Sequence, residues 1–143
     1  MKCIVDTNVL VSALLGGKGL SNVIFLQIFS ENLSPFISPA LLFEYLDVLQ
    51  RDDLWASSVF DKRQRDRFLD AYLSYCEMKS IYYRWRPNLR DESDNHLIEL
   101  AVAAQARMII TYNVRDFQRA DLTFGEVLIL PPHDALQLLK KGT

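Results

Sequence analysis

Cysteine, glycine and proline are all scarce: the 143 residues include two Cys, five Gly and five Pro. Cys3 and Cys76 form neither a CxxC pair nor a zinc-binding spacing, which excludes a disulfide scaffold. The low Gly and Pro content excludes collagen-like and low-complexity classes. We therefore expect both cysteines to be reduced residues in the core of an intracellular protein.

Long apolar runs are also missing. The run at 9–15 is far shorter than the roughly 20 residues of a membrane helix, and Asp6 falls where the apolar part of a signal peptide would have begun. We expect no membrane segment and a cytoplasmic location. Half of the residues are hydrophobic and the net charge is only −2, which is typical of one globular domain spanning residues 1–143.

Positive charge is concentrated in one part of the chain, since residues 61–90 hold eight of the sixteen Lys and Arg against four acids. Within it, the segment 82–86 interleaves aromatic and basic residues, and Arg84 and Arg86 are candidate contacts to the phosphates of a nucleic acid. The same alternation would suit a half-buried edge strand. For the preceding basic helix we favour an ordinary solvated face, which would carry Lys62, Arg63, Arg65 and Arg67.

Strand and helix patterns alternate along the chain. Strands are predicted at 2–5, 33–37, 81–83, 108–111 and 127–130. Helices are predicted at 8–15, 20–30, 39–50, 61–76, 94–106 and 133–140. This alternation predicts an α/β sandwich in which a largely parallel sheet is covered on both faces.

Four carboxylates stand where such a sheet would place a site. Asp6 directly follows the first strand, Asp116 comes soon after the fourth, Asp94 opens the most apolar helix, and Glu44 lies on a polar stripe of its helix. Each has a structural alternative, namely a helix cap, a turn or a solvated face. If they converge at the carboxyl ends of the strands they repel one another, unless a cation neutralises them. The pattern therefore predicts a divalent metal site.

The ligand types indicate which metal. We interpret His96 and His133 as surface or packing residues, so the sequence offers no His/Cys cluster and zinc is disfavoured. Carboxylates supplemented by Asn113, Thr111 or water suit Mg²⁺ or Mn²⁺. These ions commonly serve phosphate chemistry.

Segments of the chain resemble the motifs of PIN-domain ribonucleases, particularly the toxin-like, VapC-related proteins. They are VDTNVL at 5–10, Glu44, DNHLIELA at 94–101 and ITYNVRDF at 110–117. The resemblance extends to about residue 130. It implies a three-layer sandwich with a five-stranded parallel sheet of order 3-2-1-4-5.

The resemblance also implies an activity, which is Mg²⁺- or Mn²⁺-dependent endonucleolytic cleavage of RNA by a toxin. Its implied partners are an RNA substrate, an antitoxin protein and a second copy of the chain. By position, it implies catalytic roles for Asp6, Glu44, Asp94 and Asp116, with Asp6, Asp94 and Asp116 as metal ligands. It implies supporting roles for Thr7, Asn8, Thr111 and Asn113.

Two other functions remain open from the sequence. A phosphohydrolase could use Asp6 as a covalent nucleophile, but Asn8 stands where such enzymes usually carry a second acid. A catalytically silent PIN-fold module could bind RNA or protein, but the four acids it would be expected to have lost are present.

Overall fold

Five short strands form the centre of the molecule in the computed structural model, which describes residues 1–16, 19–81, 95–118 and 127–142. They are β1 (Lys2–Val5), β2 (Ser34–Ile37), β3 (Glu77–Met78), β4 (Met108–Ile110) and β5 (Leu128–Leu130). Their order in the sheet is β3-β2-β1-β4-β5, and every neighbouring pair is parallel. The sheet order that the resemblance implied is confirmed.

Helices cover both sides of this sheet, which confirms the α/β sandwich. They are α1 (Thr7–Gly16), α2 (Leu20–Phe29), α3 (Pro39–Leu49), α4 (Lys62–Tyr75), α5 (Asn95–Ala104), α6 (Val114–Gln118) and α7 (Pro132–Lys141), with a 3₁₀ turn at Asp52–Trp55. The beginning of α3 follows the sequence closely. Ser38 caps it by accepting a hydrogen bond from the Leu41 amide at 3.2 Å, and Pro39 occupies its first turn.

The middle of the sheet is the most buried part of the fold. β1 pairs with β4 in the register Ile4 to Ile109 and Val5 to Ile110, and all four of these side chains are fully buried. Continuous apolar runs of this kind are typical of parallel strands packed on both faces. The carboxyl ends of β1 and β4 therefore lie side by side at one edge.

The two cysteines are free thiols, as expected. Cys3 is completely buried in β1, whereas Cys76 is only partly buried beside β3. Burial raises the pKa of each thiol to about 12, so both are protonated at neutral pH.

Several sequence predictions are wrong in detail. The third strand is Glu77–Met78 rather than 81–83: Ile81 lies outside any strand, and residues 82 and 83 are outside the described residues. The segment around Asp116 is a short helix rather than a turn. Arg65 is not solvated like its neighbours, because it is 7% exposed, donates to the Phe60 carbonyl at 2.6 Å and lies over the Trp55 ring.

The apolar helix α2 is a core element. Ile24, Phe25 and Ile28 are buried, while Leu20 and Leu26 are exposed. In the described part of the chain, no single helix is long and apolar enough to cross a membrane, and α1 and α2 reach that length only as a bent pair.

Candidate active site

Asp6 and Thr111 are neighbours because each directly follows one of the two central strands. The Asp6 amide donates to the Ile110 carbonyl at 3.0 Å, which continues the pairing of β1 with β4 by one residue. Asp6 is 6% exposed and Thr111 is fully buried. In parallel sheets, the carboxyl ends of the strands are where ligands bind.

The Asp6 carboxylate is held at both oxygens. Its Oδ1 accepts from the Thr7 amide at 2.7 Å, and its Oδ2 accepts from Thr111 Oγ1, also at 2.7 Å. A longer bond of 3.4 Å comes to Oδ2 from Asn8 Nδ2. These donors fix the orientation of a buried carboxylate before any ligand binds.

Burial also raises the pKa of Asp6 above its ordinary value. The hydrogen bonds from Thr111 and Thr7 act in the opposite direction, and the negative charge of Glu44 adds to the increase. The nearby His96 also lowers the pKa, but the cost of burying the charged form is the largest effect. A bound cation would offset that cost, so this site fits a metal ion.

The Thr111 hydroxyl organises the loop that follows β4. It donates to Asp6 and accepts from the Asn113 amide at 3.0 Å and from Asn8 Nδ2 at 3.3 Å. A hydroxyl has one donor and two acceptor positions, so all three are occupied. Asn8 Oδ1 in turn accepts from the Tyr112 amide at 3.2 Å, which ties the beginning of α1 to this loop.

Glu44 joins the site from α3. Its Oε1 accepts from Thr7 Oγ1 at 2.9 Å, and its Oε2 lies 2.5 Å from His96 Nε2 in the first turn of α5. The carboxylate thus connects the end of β1 to the beginning of α5. Of the two interpretations of His96, surface or packing, the structure favours the second, because its side chain is only 19% exposed and pairs with Glu44.

Asp116 occupies a different position. It lies on α6, half-buried, and its amide donates to the Asn113 carbonyl at 3.1 Å. The structure therefore connects it to the Thr111 loop through the backbone. Within the described ranges, the hydrogen-bond network of the carboxylates includes Asp6 and Glu44 but not the Asp116 side chain.

Three of the predicted site residues, Asp94, Arg84 and Arg86, lie outside the described residues, although α5 begins directly after Asp94. Among the described residues, no group of three or more His, Cys, Asp or Glu is arranged to hold a metal ion. The described groups around Asp6 that could bind a metal are mainly carboxylate, hydroxyl and carboxamide oxygens, and the His96 Nε2 is engaged by Glu44. Oxygen donors are the ligands that Mg²⁺ and Mn²⁺ prefer.

Comparison with known proteins agrees with this architecture. The sequence matches the profile of the PIN domain over residues 2–115. A comparison with curated protein sequences finds no match. Among solved structures, the chain is similar to one in the crystal structure of VapBC2 from Rickettsia felis bound to a DNA fragment from their promoter. The TM-score is 0.59 at 19% identity, over 90% of this chain and 97% of that one.

That structural likeness extends the match of fold to almost the whole chain, and the profile covers the residues that build the Asp6 site. The chain therefore belongs to the PIN-domain family.

Proposed function

We propose that this protein is a metal-dependent endoribonuclease in the cytoplasm, with Asp6, Asp94 and Asp116 as ligands of Mg²⁺ or Mn²⁺ and Glu44 as a fourth catalytic acid. The observation that carries the proposal is the Asp6 carboxylate, which is buried at the strand ends, fixed by two short hydrogen bonds and raised in pKa. Proteins seldom bury a carboxylate in this way without a partner of opposite charge.

The reaction is hydrolysis of a phosphodiester, in which water adds to phosphorus and one P–O bond breaks to leave a phosphate monoester and a hydroxyl. A divalent cation, when bound, polarises the phosphate and makes a water molecule more acidic. Thr7 and Thr111 keep Asp6 in place, and Glu44 is positioned by Thr7 and His96. Asn8 and Asn113 hold the loop on which these contacts depend.

The test is cleavage of single-stranded and structured RNA by the purified chain with Mg²⁺, with Mn²⁺ or with EDTA. We expect cleavage only with metal, and a loss of at least about 100-fold for Asp6→Asn or Asp94→Asn, the scale of removing a charged catalytic group. Asp66→Asn is the matched control, since Asp66 is an exposed acid on α4 whose ion pair with Lys62 is a surface one.

Cleavage by folded Asp6→Asn, or cleavage that EDTA leaves unchanged, would disprove the metal-dependent mechanism. Binding of RNA without cleavage by any sample would instead favour a silent RNA-binding module. A Kd measured for the same RNAs separates these outcomes.

We further propose that the protein is the toxin of a toxin–antitoxin pair and forms a homodimer. The support is its likeness in fold to a chain of VapBC2 and the exposed apolar side chains Phe43 and Leu46 on α3, which are 73% and 45% exposed. Induced expression should arrest growth for the natural sequence but not for Asp6→Asn. Light scattering should give twice the mass of 16.5 kDa, and a monomeric mass would contradict the dimer.

A further inference from the structure

Tyr112 is an exposed aromatic residue that directly follows Thr111 of the carboxylate site. The Thr111 hydroxyl donates to Asp6, and the Tyr112 amide is bound by Asn8. The residue is 47% exposed. An aromatic side chain that remains half open to solvent next to a catalytic carboxylate has a surface available to a substrate.

The ring of Tyr112 is held at both of its ends. At the backbone end the amide donates to Asn8 Oδ1, and at the far end the hydroxyl lies 2.6 Å from Ser21 Oγ. Ser21 is itself buried, so this anchor belongs to the core of the fold. The ring is therefore fixed before a ligand arrives, and binding costs little additional side-chain entropy.

Phe43, an exposed aromatic residue that precedes Glu44 on α3, differs in this respect. It is 73% exposed on α3, and a phenylalanine ring has no polar group that could anchor its far end. Ordering such a side chain on binding costs about 0.5–1.5 kcal/mol. Tyr112 is thus the better preorganised surface of the two.

We propose that Tyr112 is a stacking platform for an unpaired base of the substrate, next to the phosphate that is cleaved. This inference rests on the proposed ribonuclease function and adds the substrate class, which is RNA with a base free of pairing at that position. Proteins recognise unpaired RNA bases by stacking them on aromatic rings. Because every base has an aromatic face, the contact favours single-stranded RNA with little regard to sequence.

The experiment compares Tyr112→Leu, which removes the ring but keeps an apolar side chain, with Tyr112→Phe, which keeps the ring and removes the anchor to Ser21. The matched control is Tyr75→Leu. Tyr75 is 40% exposed and packs against Phe29 at 5.4 Å between ring centroids. It precedes β3 and so lies toward the amino end of the parallel strands, away from Asp6.

Two measurements are made. The Kd for short labelled single-stranded RNA is measured in the Asp6→Asn background, and kcat and KM are measured with Asp6 intact. Tyr112→Leu should weaken binding about 5- to 100-fold, the range for losing one stacked base. It should raise KM more than it lowers kcat. Tyr112→Phe keeps the ring but loses its anchor to Ser21, so it should weaken binding by about 2- to 10-fold and by less than Tyr112→Leu does. Tyr75→Leu should stay within about 3-fold of its parent.

A second arm does not depend on how the variants fold. Once the cleavage site is mapped, an abasic nucleotide replaces each base near it in turn. At one position, the abasic substitution should weaken RNA binding by the protein with Tyr112 intact as much as Tyr112→Leu does. The same substitution should cause little further loss of binding in the Tyr112→Leu variant. Equal losses in both backgrounds, no sensitive position, or an unchanged Kd for Tyr112→Leu would overturn the inference.

The same data separate this inference from the proposed function. Metal-dependent cleavage that is insensitive to Tyr112 supports the proposed nuclease function and refutes the stacking role of Tyr112. RNA binding that depends on Tyr112, without any cleavage, refutes the proposed nuclease function and supports the stacking role of Tyr112. A chain that binds no single-stranded RNA refutes both, and sensitivity to Tyr112 only in binding a protein partner reassigns the ring to a protein interface.

Discussion

Removing the hydroxyl of Tyr45 should destabilise the fold far more than removing that of Tyr72, although the two phenols bond to each other. Tyr45 donates to the Val5 carbonyl at 2.5 Å, so the bond of 3.0 Å between the two hydroxyls has Tyr72 as its donor. Both residues are completely buried. Burial raises the pKa of both phenols well above the usual value of 10, so both remain protonated.

The direction of these hydrogen bonds determines how much free energy of unfolding each variant should lose. Tyr72→Phe removes one hydrogen bond and leaves Tyr45 still donating to Val5, which costs about 0.5–1.5 kcal/mol. Tyr45→Phe deprives the Val5 carbonyl of its partner, at about 1–3 kcal/mol. It also leaves the Tyr72 hydroxyl with only the weak sulfur acceptor Cys76, which adds part of a second penalty of that size. In the double variant only the Val5 carbonyl has lost its partner, so the cost falls back to about 1–3 kcal/mol.

The sign of one comparison is therefore decisive. Tyr72→Phe should destabilise the natural protein but should stabilise the Tyr45→Phe variant, by part of the penalty of one buried hydroxyl. Urea unfolding of the four proteins gives the free energies of unfolding. Tyr75→Phe, at a 40% exposed position, is the control and should change stability by less than about 0.5 kcal/mol. A double variant less stable than Tyr45→Phe would refute the assigned direction of donation.

Three further predictions concern single positions. The folded-state pKa of Asp6 is raised above 3.8, mainly by burial, so stability should fall as pH rises from that value through the raised pKa. In EDTA, the melting temperature of Asp6→Asn relative to that of the natural protein should therefore rise from pH 4 to pH 7; a difference that stays constant over this range would contradict the raised pKa. Thr111→Val should lower RNA cleavage about 10- to 100-fold, the scale for losing a group that orients a ligand, whereas Thr111→Ser should retain most of it; equal rates for Val and Ser would show that the hydroxyl is dispensable. Asp61 caps α4 by accepting from the Gln64 amide at 2.8 Å, so Asp61→Ala should cost about 1 kcal/mol in urea unfolding and Asp61→Asn much less; equal costs would exclude a capping role.

Local sequence patterns were sufficient to predict most strands of the sheet. The apolar runs of β1 and β4 and the cap of α3 at Ser38 are encoded by adjacent residues, and the structure has all three. The third strand was placed wrongly because Glu77 and Met78 are both exposed and so carry no apolar pattern. Their pairing with β2 makes them a strand, and no local sequence signal records that pairing.

The site was only partly predictable for the same reason. Asp6 stands next to a recognisable strand, so its place at the sheet edge follows from the sequence. The pairing of His96 with Glu44 joins residues 52 positions apart, and the bond from Tyr45 to Val5 spans 40 positions. Such contacts depend on how helices pack on the sheet. The only hint in the sequence was a histidine in the first turn of an apolar helix.

Because β1 lies at the centre of the sheet, the Asp6 site depends on a contact between distant parts of the chain. Asp6 is held by the hydroxyl of Thr111, which lies 105 residues later in the chain. Contacts between such distant residues form slowly, since a long loop must close first. Until β4 docks beside β1, Oδ2 of Asp6 lacks its hydrogen bond from Thr111, so we expect the carboxylate site to be completed late in folding.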